Sequence, residues 1–319
     1  MLCKKRARTA VIAFLAVFLI AAPVTAEEEG VSSATYLELQ FSSEPAVKFI
    51  VSQSFSFPFL QGSNPLTSGN NIATVFSAEV TPVSLNGIGE ILWTPAAFFV
   101  LSGGGLAGSG WNMPLGYGIG INRPNEDDEH PRRSRIDGEA FDGLIWRTWG
   151  AATVQFDLGA VLPGYWNHIL FQTRHEFRYS GYTRATGRDP WVFENHFREN
   201  QNGWRYHAAY VIGYYMPLSP VLNTVAFMAE LDKPLYNTPG GNYWGEHLGY
   251  WIFSGIFNFA ITPRLNTALA VQMHTRRNHA NHNFDNADYF YQDLALLRDG
   301  GERRLLFYRA ALIFSYRLR

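Results

Sequence analysis

The chain has 319 residues and a nearly balanced charge, with 26 lysines and arginines against 27 aspartates and glutamates. This balance lacks the basic excess of proteins that bind nucleic acid, so no nucleic-acid partner is predicted. Aromatic residues make up 15% of the chain and the single cysteine is Cys3, which excludes a fold held together by disulfides.

The first 26 residues have the pattern of a secretory signal peptide. Four cations within the first eight residues precede an apolar run over 10–23, and a small-residue cleavage pattern ends at Ala26. The run is shorter than the roughly 20 residues that a spanning helix needs. The exported chain would hold 319 − 26 = 293 residues, and losing the four cations takes the formal charge from −1 to −5.

Beyond the signal peptide the chain lacks any uninterrupted apolar window of about 18 residues, so no membrane-spanning helix is predicted. Segment 248–277 instead alternates with a period of two, in two arms joined by a turn at 262–266. Large apolar side chains such as Trp251, Phe253 and Phe257 fall on odd positions, opposite small or polar ones. Strands this long, with one apolar face, are typical of a tilted crossing of a bilayer.

Similar segments recur along the chain and predict an all-β fold. Residues 27–46 are either a periplasmic segment or a first strand, and 47–319 form the predicted transmembrane antiparallel β-barrel. The predicted strands, in chain order, are 47–59, 71–81, 87–101, 144–158, 168–182, 204–216, 224–231, 248–261, 265–277 and 302–319. This interpretation gives about 10 strands.

Segment 87–121 leaves the strand number open. Glycines 103–105 interrupt it, and a glycine-rich alternating piece follows over 110–121. If that piece is part of an outer loop or folds inward, ten strands result. If residues 34–42 and one arm of this region both span, the number is twelve.

Short turns and long loops predict the two rims. Three turns share a proline followed closely by Leu-Asn, at 81–86, 216–223 and 262–266, and a fourth turn lies at 161–167. Proline removes a ladder donor and belongs at strand ends. We expect these turns on the periplasmic side and four long loops outside, over 122–142, 183–203, 233–245 and 278–301. With ten strands, the loop 61–70 also falls on the outer side.

The C-terminal strand carries apolar or aromatic residues on its even positions: Leu306, Tyr308, Ala310, Leu312, Phe314, Tyr316 and Leu318. This strand resembles the closing strand of bacterial outer-membrane β-barrel proteins. The resemblance implies the outer membrane of a diderm bacterium as location. It also implies outer-membrane lipid and the barrel-assembly machinery as partners, with this strand as the assembly signal.

Many charged residues fall on the faces that are predicted to point inward. Because charge on a lipid face costs about 2–4 kcal/mol at mid-bilayer, they are assigned to the lumen. The lumen-lining candidates are Lys48, Glu79, Glu90, Arg147, Arg174, Glu176, Arg178, Arg205, His207, Glu230, Asp232, His274, Arg276 and Arg309. Their signs are mixed, so no ion selectivity is predicted. They form either a salt-bridged wall or a lining for a small solute.

Motifs for other chemistry are weak. His279, His282 and Asp285 are possible metal ligands in a loop, but no metal site and no cofactor is predicted. No catalytic residues are assigned, since no His-x-Ser arrangement occurs and the pair Asp127-Asp128 lies in a run of charges. A narrow or gated channel for small solutes is the favoured function. A surface-exposed binding or adhesin-type barrel with a filled lumen is the alternative, and an outer-membrane barrel hydrolase comes third.

Overall fold

The computed structural model describes residues 30–43, 46–114, 116–124, 134–162, 164, 166–186, 189, 191–194, 200–216, 221–235, 249–277 and 303–318. The signal-peptide segment lies outside this part of the chain. In chain order the strands are β1 (Ser32–Ser42), β2 (Ala46–Pro58), β3 (Asn71–Thr81), β4 (Ser84–Ala96), β5 (Phe99–Gly110), β6 (Ile119–Pro124), β7 (Ser134–Asp137), β8 (Ile145–Asp157), β9 (Ile169–Tyr182), β10 (Trp191–Phe193), β11 (Gly203–Tyr215), β12 (Leu222–Pro234), β13 (Tyr250–Ala260), β14 (Leu265–Arg277) and β15 (Arg303–Arg317). A 3-10 turn covers Leu158–Ala160.

Twelve of these strands close into an antiparallel barrel in the order β1-β2-β3-β4-β5-β8-β9-β11-β12-β13-β14-β15. Every neighbouring pair is antiparallel, and β1 pairs with β15 through contacts such as Leu39 with Phe314. Closure leaves no exposed sheet edge. The other three strands, β6, β7 and β10, form a separate small sheet. No helix in the described part of the chain is both long and apolar enough to cross a membrane.

The all-β antiparallel barrel is confirmed, but the main estimate of about 10 strands is wrong and the alternative of twelve is correct. The two extra strands are β1 and β5. The glycines of β5 indicate a loop in the sequence. In the structure they lie within a strand, where the missing side chain allows neighbouring atoms to pack closely. A Cβ at Gly104 would lie 2.4 Å from Trp149 Cζ2 and 2.7 Å from the Gly89 carbonyl oxygen.

The additional strands also correct the assignment of the rims. One rim carries the turn Pro82-Val83 together with the long connections from β5 to β8, β9 to β11, β12 to β13 and β14 to β15. The opposite rim carries the loop 59–70 and the turns near 158–168, 216–221 and 261–264. The turn at 81–86 is therefore on the long-loop rim, and the loop 61–70 is on the short-turn rim. Both had been predicted on the other side, because β5 adds a crossing between these two connections and all the later ones.

The barrel is apolar outside and polar inside. Phe76, Phe177 and Phe227 point outward and are 58%, 54% and 50% exposed. Inward positions of the same strands carry buried polar side chains, including Glu79 on β3 and Glu230 on β12. A continuous apolar outer wall is typical of a barrel surrounded by lipid. Near the long-loop rim, Tyr179 stacks on Trp146 at 5.0 Å and meets Trp204 edge-on at 5.5 Å, as in an interfacial aromatic girdle.

Candidate functional site

Most of the charged lumen candidates lie on inward positions of the barrel wall, where they form two separate polar clusters. One cluster, here called the arginine cluster, spans β8, β9, β11 and β12, with Glu90 of β4 reaching it. The other, here called the Glu194 cluster, joins β2, β3 and β4. Nine of the candidates have at most 9% of their surface exposed: Lys48, Glu79, Arg174, Glu176, Arg178, His207, Glu230, Asp232 and Arg309.

Asp232 is the centre of the arginine cluster. Arg205 donates from Nε to Asp232 Oδ1 at 2.9 Å, and Arg178 donates from Nη2 to Asp232 Oδ2. Arg178 and Arg205 are direct partners across the β9–β11 ladder. Like charges placed opposite each other destabilise a sheet, so one carboxylate between them offsets their repulsion.

The cluster continues towards β4 through a chain of alternating charges. Glu176 accepts from Arg174 Nη2 at 3.0 Å and lies 3.7 Å from Arg178 Nη1. Arg174 also lies 3.5 Å from Glu90, which accepts a hydrogen bond from Trp149 Nε1 at 3.3 Å. Each of these carboxylates therefore has a cationic partner inside the wall.

Arg147 differs from the other arginines of the cluster. Its Nε donates to Ser180 Oγ at 3.2 Å. Within the described part of the chain it has no carboxylate within ion-pair distance, and its Nη groups have no hydrogen-bond partner. Its position on β8 is inward and half-buried, two residues below the fully buried Ile145.

The remaining lumen candidates lie further from the long-loop rim than Arg178 and Arg205, or on β14 and β15. His207 Nε2 is 3.7 Å from Glu230 Oε1. Arg309 donates from Nε to Gln272, whose amide donates to Ser254 Oγ at 2.8 Å. His274 bonds to the Tyr250 hydroxyl and stacks on Tyr308 at 4.7 Å. Arg276 lies on β14, but its side chain is outside the described part of the structure, as are His279, His282 and Asp285.

The Glu194 cluster includes residues that the sequence did not single out. Lys48 Nζ contacts Glu79 Oε1 at 2.6 Å and Glu194 Oε2 at 3.5 Å. Glu194 Oε1 accepts from Ser84 Oγ at 2.6 Å and from Asn86 Nδ2 at 2.8 Å. Glu194 follows β10 in a predicted outer loop, so no sequence pattern placed it against β2 and β4. Strand parity could have found Asn86, Glu38 and Gln40.

The small sheet of β6, β7 and β10 brings Glu194 to this place. Ile119 and Ile121 of β6 and Trp191 and Phe193 of β10 pack on Ile145 of β8 and Tyr182 of β9. The backbone N–H of Glu194 also donates to the carbonyl of Gly118 at 3.1 Å. The small sheet is therefore fixed to β8 and β9 at one end and to β2 and β4 at the other. It lies against the inner wall near the long-loop rim, and β5 is the strand between β4 and β8.

His175 breaks the apolar pattern of the outer wall. It is in the middle of β9 on the outward face. Its Nδ1 bonds the Tyr206 hydroxyl at 2.6 Å, its Nε2 bonds Thr173 Oγ1 at 3.0 Å, and Tyr210 meets its ring edge-on. Because both ring nitrogens are satisfied within the protein, this residue is compatible with an apolar surrounding.

In the described part of the chain, no group of three or more His, Cys, Asp or Glu side chains could hold a metal ion. The chemistry that the two clusters offer is charge recognition: carboxylates meet guanidinium groups in the arginine cluster and the Lys48 ammonium group in the Glu194 cluster.

No protein-family model matches the sequence, and no curated protein matches it. Solved structures that align with this chain include the NanC porin. It is 7% identical with a TM-score of 0.41, and the alignment covers 88% of this chain and 98% of that chain. The KdgM porin is 8% identical with a TM-score of 0.36, covering 89% and 98%. The β-domain of the Bordetella autotransporter BrkA is 10% identical with a TM-score of 0.38, covering 90% and 98%. These neighbours are outer-membrane β-barrels, and none of them assigns the chain to a subfamily.

Proposed function

We propose that this protein is an outer-membrane barrel that passes small solutes through a narrow lumen, and that the small sheet closes its long-loop mouth. The observation that carries the proposal is that both ends of that sheet are attached to the inner wall near this rim. At one end it packs on Ile145 and Tyr182; at the other end Glu194 binds Lys48, Ser84 and Asn86. Long loops of bacterial barrels face outside, so the closed mouth is assigned to the cell exterior.

The inner wall supports a narrow passage rather than a wide pore. Arg309, Gln40 and His207 face inward and are only 1% exposed. Water filling a wide channel would reach such side chains. Barrels need about 16–18 strands to leave a wide aqueous channel, whereas small barrels fill their interior with side chains. A barrel of twelve strands therefore conducts only through a restricted path.

The two attachments of the small sheet differ in strength. The Ile145–Tyr182 end buries six large apolar side chains, each contributing about 1.5–3 kcal/mol. At the other end, the described contacts with β2 and β4 are made by the Glu194 carboxylate. The backbone of Glu194 has φ of +51°. A residue other than glycine is strained in this left-handed region, so its side-chain contacts must hold it there. The Glu194 end is the part of the sheet that releases first.

Glu194→Ala is expected to raise the open fraction of single channels in a planar bilayer by about tenfold or more. The substitution removes charge-assisted hydrogen bonds worth about 1.5–3 kcal/mol each, and about 1.4 kcal/mol corresponds to a factor of ten. Lys48 keeps Glu79 as its partner, so no buried charge is left alone.

Glu139→Ala is the control, because it removes an exposed carboxylate from the connection between β5 and β8, which supplies the other two strands of the small sheet. Its conductance should equal that of the parent protein. If Glu194→Ala and Glu139→Ala behave alike while both conduct, the small sheet does not gate the lumen.

The low exposure of the inner wall favours a second candidate, a barrel with a filled lumen whose outer loops bind a ligand. This reading is distinguished by the same recordings. A filled barrel would insert into the bilayer and show no conductance in the parent protein or in Glu194→Ala.

We also infer two partners. Outer-membrane lipid surrounds the folded barrel, and the barrel-assembly machinery binds the chain while it folds. Leu305 and Phe307 on β15 point outward and are 55% and 57% exposed, which offers an apolar surface. In the finished barrel β15 closes on β1, so the C-terminal strand completes the structure.

A further inference from the structure

Three arginines of neighbouring strands lie close together in the outer half of the lumen. Arg147, Arg178 and Arg205 lie near the long-loop ends of β8, β9 and β11. The carboxylate of Asp232 contacts both Arg178 and Arg205, so it already binds two guanidinium groups. Among the described residues, no carboxylate lies within ion-pair distance of Arg147.

Donor groups of Arg147 and Arg178 have no hydrogen-bond acceptor within the described structure. The Nη groups of Arg147 have none in the described structure. Arg178, which is 8% exposed, has its Nε fully buried and without a hydrogen-bond partner. A buried donor without a partner costs about 1–3 kcal/mol, and more when it is charged. The half-buried Arg147 beside this unmet donor is therefore positioned to offer its Nη groups to an acceptor that comes from the lumen.

The three arginines are close enough to share one ligand. Arg147 is the ladder partner of Ser180, which places it diagonally from Arg178 on the same face; diagonal neighbours lie about 7–8 Å apart, within reach of long side chains. Arg178 and Arg205 are direct partners. Guanidinium groups offer pairs of parallel N–H donors that match the oxygens of carboxylate, sulfate or phosphate groups.

We propose that Arg147, Arg178 and Arg205 form a binding site for an oxyanion group carried by a small solute. As a site on the conduction path, it rests on the proposed function and specifies the solute class as anionic. The site lies directly below the small sheet, because Ile145 and Tyr182, which hold that sheet, are the next inward residues above Arg147 and Ser180. A bound anion reduces the mutual repulsion of three guanidinium groups, an effect that is large in a lumen of low dielectric constant.

The test uses the full-length mature barrel folded in detergent and radiolabelled sulfate as the probe, in equilibrium dialysis at constant ionic strength. The parent protein should bind sulfate saturably. Arg147→Gln should bind it about tenfold or more weakly, since it loses a charged hydrogen-bonding partner. Lys233→Gln is the control, because it removes one cation from an exposed position on β12 near the same rim, and it should bind like the parent.

A second measurement separates binding from damage to the fold. The unfolding midpoint is the temperature at which half of the protein loses the gel mobility of the compact barrel. Without sulfate, the midpoint of Arg147→Gln should equal or exceed that of the parent, because a repelling charge is removed. Sulfate should raise the midpoint of the parent and raise that of Arg147→Gln only slightly, since a ligand stabilises only the state that binds it.

Three outcomes would overturn the site: no saturable binding by the parent, equal binding by Arg147→Gln, or a lower midpoint of Arg147→Gln in sulfate-free buffer. The last would mean that a carboxylate of the chain itself pairs with Arg147. Failure of the proposed function is seen separately: sulfate binding without any conductance would leave an anion-binding barrel that is not a channel, whereas conductance without sulfate binding would leave a channel without this site.

Discussion

Asp232→Ala is expected to reduce the free energy of unfolding by about 3–5 kcal/mol, the usual cost of removing one partner of a buried ion pair. Asp232 is 9% exposed and binds both Arg178 and Arg205. Without it, three arginines share one part of the lumen with Glu176 as the nearest remaining carboxylate contact of Arg178. Equilibrium unfolding by guanidinium chloride in lipid vesicles measures the change.

Asp157→Ala is the control for this experiment. Its carboxylate also meets a basic side chain, with Oδ2 3.0 Å from His168 Nδ1, but the two side chains are 36% and 41% exposed. An exposed pair contributes about 0–1 kcal/mol, and the cap that Asp157 gives to the N–H of Gly159 contributes about 0.5–2 kcal/mol. This variant should therefore lose less stability than Asp232→Ala. Adding Arg147→Gln to Asp232→Ala should recover part of the lost stability, because neighbouring charges are coupled. A fully additive loss would contradict the shared electrostatic role of the cluster.

Phe227→Arg is expected to cost about 2–4 kcal/mol of stability in the membrane and to lower the yield of assembled barrel. Phe227 is the sixth residue of β12, points outward with 50% exposure, and stacks on Phe253 at 6.2 Å. At this depth an arginine would place its charge in hydrocarbon. Urea titration of folding into vesicles, together with the heat-modifiable band on gels, reports both effects.

Phe227→Leu is the matched variant, since it keeps an apolar side chain at the same position. It should assemble like the parent and lose less than about 1.5 kcal/mol, as conservative apolar exchanges do. An arginine variant that is as stable as the leucine variant would show that this face of β12 is not in contact with lipid.

Strand faces were predictable because parity is local. On β9 the sequence placed Arg174, Glu176 and Arg178 on one face, and the structure buries all three on the inner wall. Alternation also predicted the β13–β14 hairpin, whose turn is closed by hydrogen bonds between Thr262 and Leu265. In both cases the pattern depends on residues that are two apart along the chain.

The number of strands was harder to predict, because a glycine-rich segment can form either a loop or a closely packed strand. The glycines of β5 read as a break, but Gly104 is required where the Trp149 ring crosses its strand. That requirement comes from β8, more than forty residues further along the chain. The short turn at Pro82-Val83 looked like the other proline turns, yet it is on the long-loop rim, where the Val83 carbonyl accepts from Trp111 N at 2.9 Å.

The sequence by itself determined that the protein is a β-barrel with an apolar outer face and charged inward positions, because period-two alternation assigns each side chain to a face without reference to the rest of the chain. The tertiary structure decided which of those charges meet. Asp232 joins Arg178 to Arg205 only through the register of β9, β11 and β12, and Glu194 reaches Lys48 over 146 residues of sequence. Such contacts depend on barrel closure and on the path of a connecting segment, which no local spacing encodes.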